Sequence, residues 1–117
     1  MKFNLEFYIS EQGNNPVGEF LDSLKSSDPD DYASVLSGLA KLRERFYHRP
    51  PLCKALGNSL FELRHVGKLN TRVLWFYVKG QRIVLVHGIR NKAQSIPADD
   101  LKIARHRLLD WQKRSKP

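Results

Sequence analysis

Five cationic side chains in the second half of the chain are the residues best suited to chemistry on a phosphate. They are Lys54, Arg64, Arg72, Arg90 and Lys92. Guanidinium groups bind phosphate oxygens through paired hydrogen bonds and stabilise the charge that develops when a phosphoester is cleaved. All five lie near the ends of predicted strands, where one cleft could gather them. They therefore predict contacts to a scissile phosphate.

Cleavage of RNA without a metal also needs a group that takes the proton of the ribose 2′-hydroxyl. Lys92, Lys54 or His87 could do so if its pKa lies near 7. Glu62 and Arg64 alternate along one strand and therefore share a face. That pattern fits a functional site, and it fits equally well a plain ion pair between Glu62 and a neighbouring arginine.

Other chemistries find little support. Four histidines without ligand spacing and a single cysteine predict no metal site, and no cofactor-binding loop or dinucleotide fingerprint is present. Cys53 stands beside prolines and an apolar residue, which favours a buried structural thiol over a nucleophile. We therefore expect neither a metal nor a cofactor.

Charge is divided unevenly along the 117 residues, whose net charge is +8. Residues 1–53 hold 6 Lys or Arg and 8 Asp or Glu, whereas residues 54–117 hold 14 and 4, so the two parts carry −2 and +10. A basic face favours nucleic acid as partner, with a solvated surface that binds nothing as the alternative. Four cations of the final helix are predicted to give general, salt-dependent adhesion to RNA: Arg105, Arg107, Lys113 and Arg114.

Length and composition favour one globular domain over residues 1–117. No apolar run approaches the roughly 20 residues that a bilayer span requires. The N-terminus lacks the apolar segment of a secretory signal, and a lone cysteine is typical of a reducing compartment. We expect a cytoplasmic protein with no membrane partner.

Hydrophobic periodicity predicts elements in the order β-α-α-β-β-β-α. They are a strand over 2–9, a helix over 16–25, a second helix from 29 to the breaking segment 48–51, strands over 59–66, 71–78 and 82–88, and a final helix opened by Pro97. Residues predicted to face the core are Phe3, Leu5, Phe7 and Ile9 in the first strand and Tyr32, Val35, Leu36, Leu39, Leu42 and Phe46 in the second helix.

These elements indicate an α+β fold with a curved, mainly antiparallel sheet. The segment 73–78 is apolar on both faces and should be a central strand. The two N-terminal helices bury their apolar stripes only by covering one face of the sheet. We expect the other face, which carries the basic residues, to be open to solvent or a ligand.

Several segments together resemble the HigB-type branch of the RelE/ParE toxin superfamily, which is related to phage-encoded host-inhibition proteins. They are Asn15-Pro16-Val17-Gly18-Glu19-Phe20-Leu21, Glu62-Leu63-Arg64, Arg72-Val73-Leu74-Trp75-Phe76-Tyr77, Ile83-Val84-Leu85-Val86-His87-Gly88-Ile89, Lys92-Ala93-Gln94-Ser95-Ile96-Pro97 and Ala104. The resemblance covers about residues 3–110. It implies a RelE-like microbial RNase fold and a toxin of a type II toxin–antitoxin system that cleaves mRNA on the translating ribosome.

The resemblance also implies partners and roles. The partners are the ribosome with its mRNA, and a HigA-like helix-turn-helix antitoxin. The positions of Arg64 and Arg72 match phosphate or transition-state contacts, and of the family's usual basic pair only Lys92 carries over directly. Relatives often have a tyrosine near the chain end, but none follows Tyr77 here, and Trp111 is interpreted as a core residue.

Two further functions share the fold and stay open. One is a ParE-like toxin that inhibits DNA gyrase without cutting RNA, and the other is a binding module for nucleic acid or antitoxin without catalysis. A fold does not by itself decide among these functions. The basic residues and the HigB-like segments favour the ribonuclease.

Overall fold

The computed structural model describes residues 2–67 and 69–115, so the two ends of the predicted 1–117 domain and Lys68 lie outside the described residues. The elements run in the order β1 Asn4–Phe7, α1 Pro16–Ser27, α2 Pro29–Leu42, a 3₁₀ turn Arg45–Tyr47, β2 Cys53–Gly57, β3 Leu60–Val66, β4 Asn70–Val78, β5 Arg82–Asn91 and α3 Ala98–Arg114. The predicted α+β class is confirmed. One strand, β2, was not predicted.

The five strands form one sheet in the order β1-β5-β4-β3-β2. β1 runs parallel to β5, and all other neighbours are antiparallel, which confirms a mainly antiparallel sheet. β4 is the central strand, as its two apolar faces predicted. Trp75 points into the core under α1 and α2, whereas Phe76 belongs to the core on the opposite face.

Side-chain caps begin both N-terminal helices where the sequence predicts them. The Gly18 amide donates to Oδ1 of Asn15 at 2.9 Å, and the Asp31 amide donates to Oδ1 of Asp28 at 3.2 Å. Each cap is followed by a proline, which lacks the N–H that a first helical turn leaves unpaired. Local chemistry therefore determines where α1 and α2 start.

Helices α1 and α2 cover one face of the sheet, as predicted. The core beneath them contains Phe3, Val17, Leu21, Leu24, Val35, Leu39, Leu42, Cys53, Leu63, Val73, Trp75, Ile83 and Leu85. Helix α1 approaches the sheet closely at Gly88 of β5, where an added Cβ would lie 2.3 Å from the Phe20 ring. A side chain at this position would push α1 away from the sheet.

The prediction of an open second face is wrong, because α3 packs there. Its Ala104 and Leu108 join a second core with Tyr8, Leu60, Leu74, Phe76, Val84, Val86 and Ile89. Trp111 is partly buried against this core and meets Phe76 edge-on, with ring centroids 5.6 Å apart, as expected of a residue that packs on the core. None of the helices in the described part of the chain is long and apolar enough to cross a lipid bilayer.

The packing of α3 also decides which side chains at the end of β1 are buried. Phe7 and Ile9 were predicted to be buried but are 42% and 41% exposed, whereas Tyr8, on the predicted polar side, is 4% exposed. The Tyr8 hydroxyl donates to Oδ2 of Asp110 in α3 at 2.6 Å. Because α3 buries the side of β1 that carries Tyr8, the apolar alternation alone assigned the end of this strand to the wrong face.

Helix α2 ends earlier than its apolar stripe predicted. It stops at Leu42, and Phe46 lies in the following 3₁₀ turn, where it is 65% exposed. Leu36, also predicted to be buried, is 40% exposed. The turn rotates Phe46 away from the stripe, so an aromatic ring predicted to lie in the core faces solvent.

Candidate nucleic-acid interface

Arg64 and Arg72 lie directly opposite each other on the neighbouring strands β3 and β4. Lys54 of β2 pairs with Glu62 of β3, two residues before Arg64. Because side chains alternate along a strand and opposite residues share a face, these four lie on one face of three adjacent strands. The sheet therefore brings together three of the five cations predicted to contact phosphate.

Arg72 is completely buried within this group. Its Nη2 donates to the carbonyl oxygens of Ala93 and Gln94 at 2.9 and 2.6 Å, and its Nε lies 3.7 Å from Oε2 of Glu62. A side chain with no exposed surface does not reach a phosphate in this conformation. In this conformation its guanidinium instead holds the loop between β5 and α3, and the phosphate contact at Arg72 stays a prediction.

Arg64 differs from Arg72 in its contacts. Within residues 2–67 and 69–115 its side chain makes no hydrogen bond or ion pair, and its Nε is buried without a partner. The residue is half-buried and lines the edge of a cleft beside α2. An arginine held in the structure without an internal anion is available for an external one.

Glu62 belongs to the site but was not predicted as a functional residue. It is 4% exposed, and it stands between Lys54 and Arg72. Alternation with Arg64 already placed it on the shared face, and this was the signal that could have identified it. A buried carboxylate among cations organises their positions and reduces the net charge of the group.

His87 lies elsewhere, at the contact between β5 and α3. Its Nε2 is 2.7 Å from Oδ1 of Asp100, and Arg107 donates to its Nδ1 at 2.9 Å and to the carbonyl of Val86 at 2.8 Å. Since a guanidinium only donates, Nδ1 must carry the lone pair and Nε2 the hydrogen. Both ring nitrogens and Arg107 are therefore engaged in the attachment of α3.

Arg90 does not join the predicted cleft, because it points to the opposite face, under α1 and α2. It is ion-paired with Asp28, and its Nε lies 3.2 Å from Oδ2 of Asp31. Asp31 also accepts the Thr71 hydroxyl at 2.5 Å and lies 3.1 Å from Nε2 of His65. Arg90 is thus part of a polar network that ties the start of α2 to the sheet.

The remaining predicted cations differ in their exposure and in their contacts within the protein. Lys92, Arg105 and Lys113 are exposed, the first in the loop after β5 and the other two on α3. Arg114 pairs with Asp110 at 2.8 Å and donates to the carbonyl of Ile9 at 2.6 Å. Of the α3 cations predicted to adhere to RNA, Arg105 and Lys113 thus differ from Arg114, which is exposed but ion-paired.

A comparison with models of protein families shows the family to which the chain belongs. Residues 22–109, more than half of the chain, match the family described as "Phage derived protein Gp49-like (DUF891)". The chain belongs to this family. A search of curated proteins found no match. The Gp49-like family is associated with the toxins of toxin–antitoxin systems, and such a context implies an antitoxin partner.

The thiol of this Gp49-like protein is structural, as predicted. Cys53 is 2% exposed at the start of β2. Burial raises its pKa to about 12, so the thiol stays protonated at neutral pH. A protonated, enclosed thiol is a poor nucleophile.

The His87 contact predicts how the stability of the Gp49-like protein depends on pH. Burial lowers the pKa of His87 from its usual 6.5, the Asp100 contact opposes this shift, and Arg107 adds to it. As the pH falls below about 6.5, the unfolded chain binds the proton first. This histidine therefore decreases the free energy of unfolding by at most about 1.4 kcal/mol per pH unit, until the folded form also titrates.

Urea denaturation between pH 8 and pH 5 measures this dependence. We expect His87→Gln to reduce the fall in the free energy of unfolding at acid pH. The matched control His106→Gln, at an exposed position of α3, should leave that fall unchanged. An unchanged fall in His87→Gln would show that His87 is not the residue that titrates.

Proposed function

We propose that this Gp49-like protein is a HigB-type toxin that cleaves mRNA on the ribosome, in the cytoplasm. The observation that carries the proposal is Arg64, a half-buried arginine without an internal anion, beside Lys54 on the next strand. Partly desolvated guanidinium groups favour the crowded negative charge of a phosphodiester at its transition state. The resemblance to ribosome-dependent nucleases supports the same reading.

In this mechanism the ribose 2′-oxygen attacks the adjacent phosphorus and the 5′-oxygen of the next nucleotide leaves. The products are a 2′,3′-cyclic phosphate and a free 5′-hydroxyl, and no metal is required. Arg64 stabilises the phosphorane. The 2′-hydroxyl proton must be removed and the 5′-oxygen must gain one, and we propose that the exposed amines of Lys54 and Lys92 exchange these protons with solvent.

Among the residues that the structure describes, the proposed site holds no strong general base. His87 is engaged on both ring nitrogens, and Glu62 is 4% exposed. We infer that the ribosome supplies much of the catalysis by holding the 2′-oxygen in line with the scissile bond. A HigA-like antitoxin would neutralise the toxin by covering this face or by keeping it off the ribosome.

Mapping of mRNA 5′ ends after induction tests the function. We expect new ends within codons of translated messages, and slow cleavage of the same RNA without ribosomes. Intact mRNA with DNA damage would instead indicate a gyrase inhibitor. Normal growth after induction of a folded protein would indicate a binding module.

A further inference from the structure

Two adjoining clefts open where α2 ends and the chain turns into β2. The first has a volume of about 260 Å³ and reaches Ser34 and Ser37 of α2. The second, which we call the aromatic cleft, measures about 440 Å³. Its main lining residues are Lys41, Phe46, Tyr47, Arg49, Leu52 and Arg64. Lys41, Leu52 and Arg64 line both clefts, so the two are adjacent.

The aromatic cleft presents flat, exposed surfaces. Phe46 is 65% exposed and meets Tyr47 edge-on, with centroids 5.1 Å apart. The Arg49 guanidinium lies 4.4 Å from the centre of the Phe46 ring, and its Nε donates to the Phe46 carbonyl at 3.0 Å. The arginine is thus held in place above the ring. Such aromatic and guanidinium planes are the surfaces on which proteins stack unpaired bases.

The positive charge of the two clefts favours an anionic ligand. Lys41, Arg49 and Arg64 supply three cations, and none of the described residues that line the two clefts carries a carboxylate. Lys41 stands 5.7 Å from the centre of the Tyr47 ring, which brings positive charge next to an aromatic plane. Alternating cations and rings suit a strand of alternating phosphates and bases.

We propose that the aromatic cleft binds a base of single-stranded RNA, with the flanking phosphates at Lys41 and Arg64. The inference that this RNA is mRNA rests on the proposed function. Arg64 is part of the cleft lining and also belongs to the proposed cleavage site, so the strand that the cleft binds is proposed to continue to the scissile phosphate. The cleft thereby adds an RNA-binding subsite that lies next to Arg64 and involves α2 and the 3₁₀ turn.

Fluorescence anisotropy with a labelled single-stranded RNA of about ten nucleotides measures this binding. The RNA is fully 2′-O-methylated, so it cannot be cleaved through its 2′-oxygens. We expect Phe46→Leu to weaken binding about tenfold with an unchanged salt dependence, because a stacking plane but no charge is lost. Phe46→Trp should restore the affinity.

Lys41→Gln should act differently. It should weaken binding and lower the slope of log affinity against log salt by about 0.7, the amount expected for one phosphate contact on a single strand. The matched control is Phe7→Leu, which makes the same change at an exposed phenylalanine on the opposite edge strand, and it should bind like wild type.

Wild-type affinity in a folded Phe46→Leu variant would overturn the proposal. So would loss of antitoxin binding with unchanged RNA affinity, which would assign the cleft to a protein partner. If Phe46→Leu loses RNA affinity although the wild type cleaves no mRNA in cells, RNA binding by the aromatic cleft is supported and the proposed function is wrong. The two hypotheses are therefore tested separately.

Discussion

Replacement of Arg64 with alanine is expected to abolish growth arrest and to slow mRNA cleavage about 10²–10³-fold, the usual effect of removing one group that stabilises transition-state charge. Its side chain has no internal hydrogen-bond or ion-pair partner in the described part of the chain, so its loss breaks no polar network. The melting temperature should stay close to that of wild type. The measurements are 5′-end mapping in cells and thermal unfolding of the purified variant.

The matched control is Arg105→Ala, which removes the same charge at an exposed position of α3. We expect it to weaken general adhesion to RNA and to leave cleavage near the wild-type rate at low salt. Full toxicity of a stably folded Arg64→Ala variant would refute the assignment of Arg64 to the scissile phosphate.

Arg72→Ala is expected to reduce the free energy of unfolding by about 3–5 kcal/mol, because it leaves Glu62 buried without its cationic partner. The carbonyls of Ala93 and Gln94 also lose their donor, so the loop that carries Lys92 becomes less ordered. Urea denaturation gives the loss of stability. Toxicity should fall together with the amount of folded protein.

A double replacement separates a positioning role from a direct contact. We expect Glu62→Leu combined with Arg72→Leu to cost less stability than the sum of the two single changes, since neither partner is then left as an uncompensated buried charge. Wild-type stability in Arg72→Ala together with lost cleavage would contradict the positioning role and indicate that Arg72 contacts RNA directly.

Prediction from the sequence was most successful where the physical cause is local. The caps Asn15 and Asp28 with their following prolines locate the starts of two helices, and apolar residues on both faces mark the central strand β4. β2 was missed because it is short and largely exposed, so it has little hydrophobic alternation. Glu62 and Arg64 shared a face by alternation alone, which the sheet register bears out.

The charge pattern was informative but incomplete. The division at residue 53 drew attention to the basic second half of the chain, yet Lys41 and Arg49 of the aromatic cleft lie in the first, where acidic residues outnumber basic ones. A sum over a segment does not show which cations the fold collects. Phe46 was similarly assigned to a buried stripe because the end of α2 at Leu42 was not recognised.

The sequence by itself determined the fold class, most element positions and the face on which Glu62 and Arg64 lie, because each depends on residues close together in the chain. Only the tertiary structure decided which cations remain free. Arg90 is neutralised by Asp28, 62 residues earlier, and Arg107 packs against His87, 20 residues earlier, whereas Arg64 meets no anion within the described residues. Such pairings are set by how α2 and α3 dock on the sheet. Helix docking depends on the packing of whole surfaces, which no local pattern encodes.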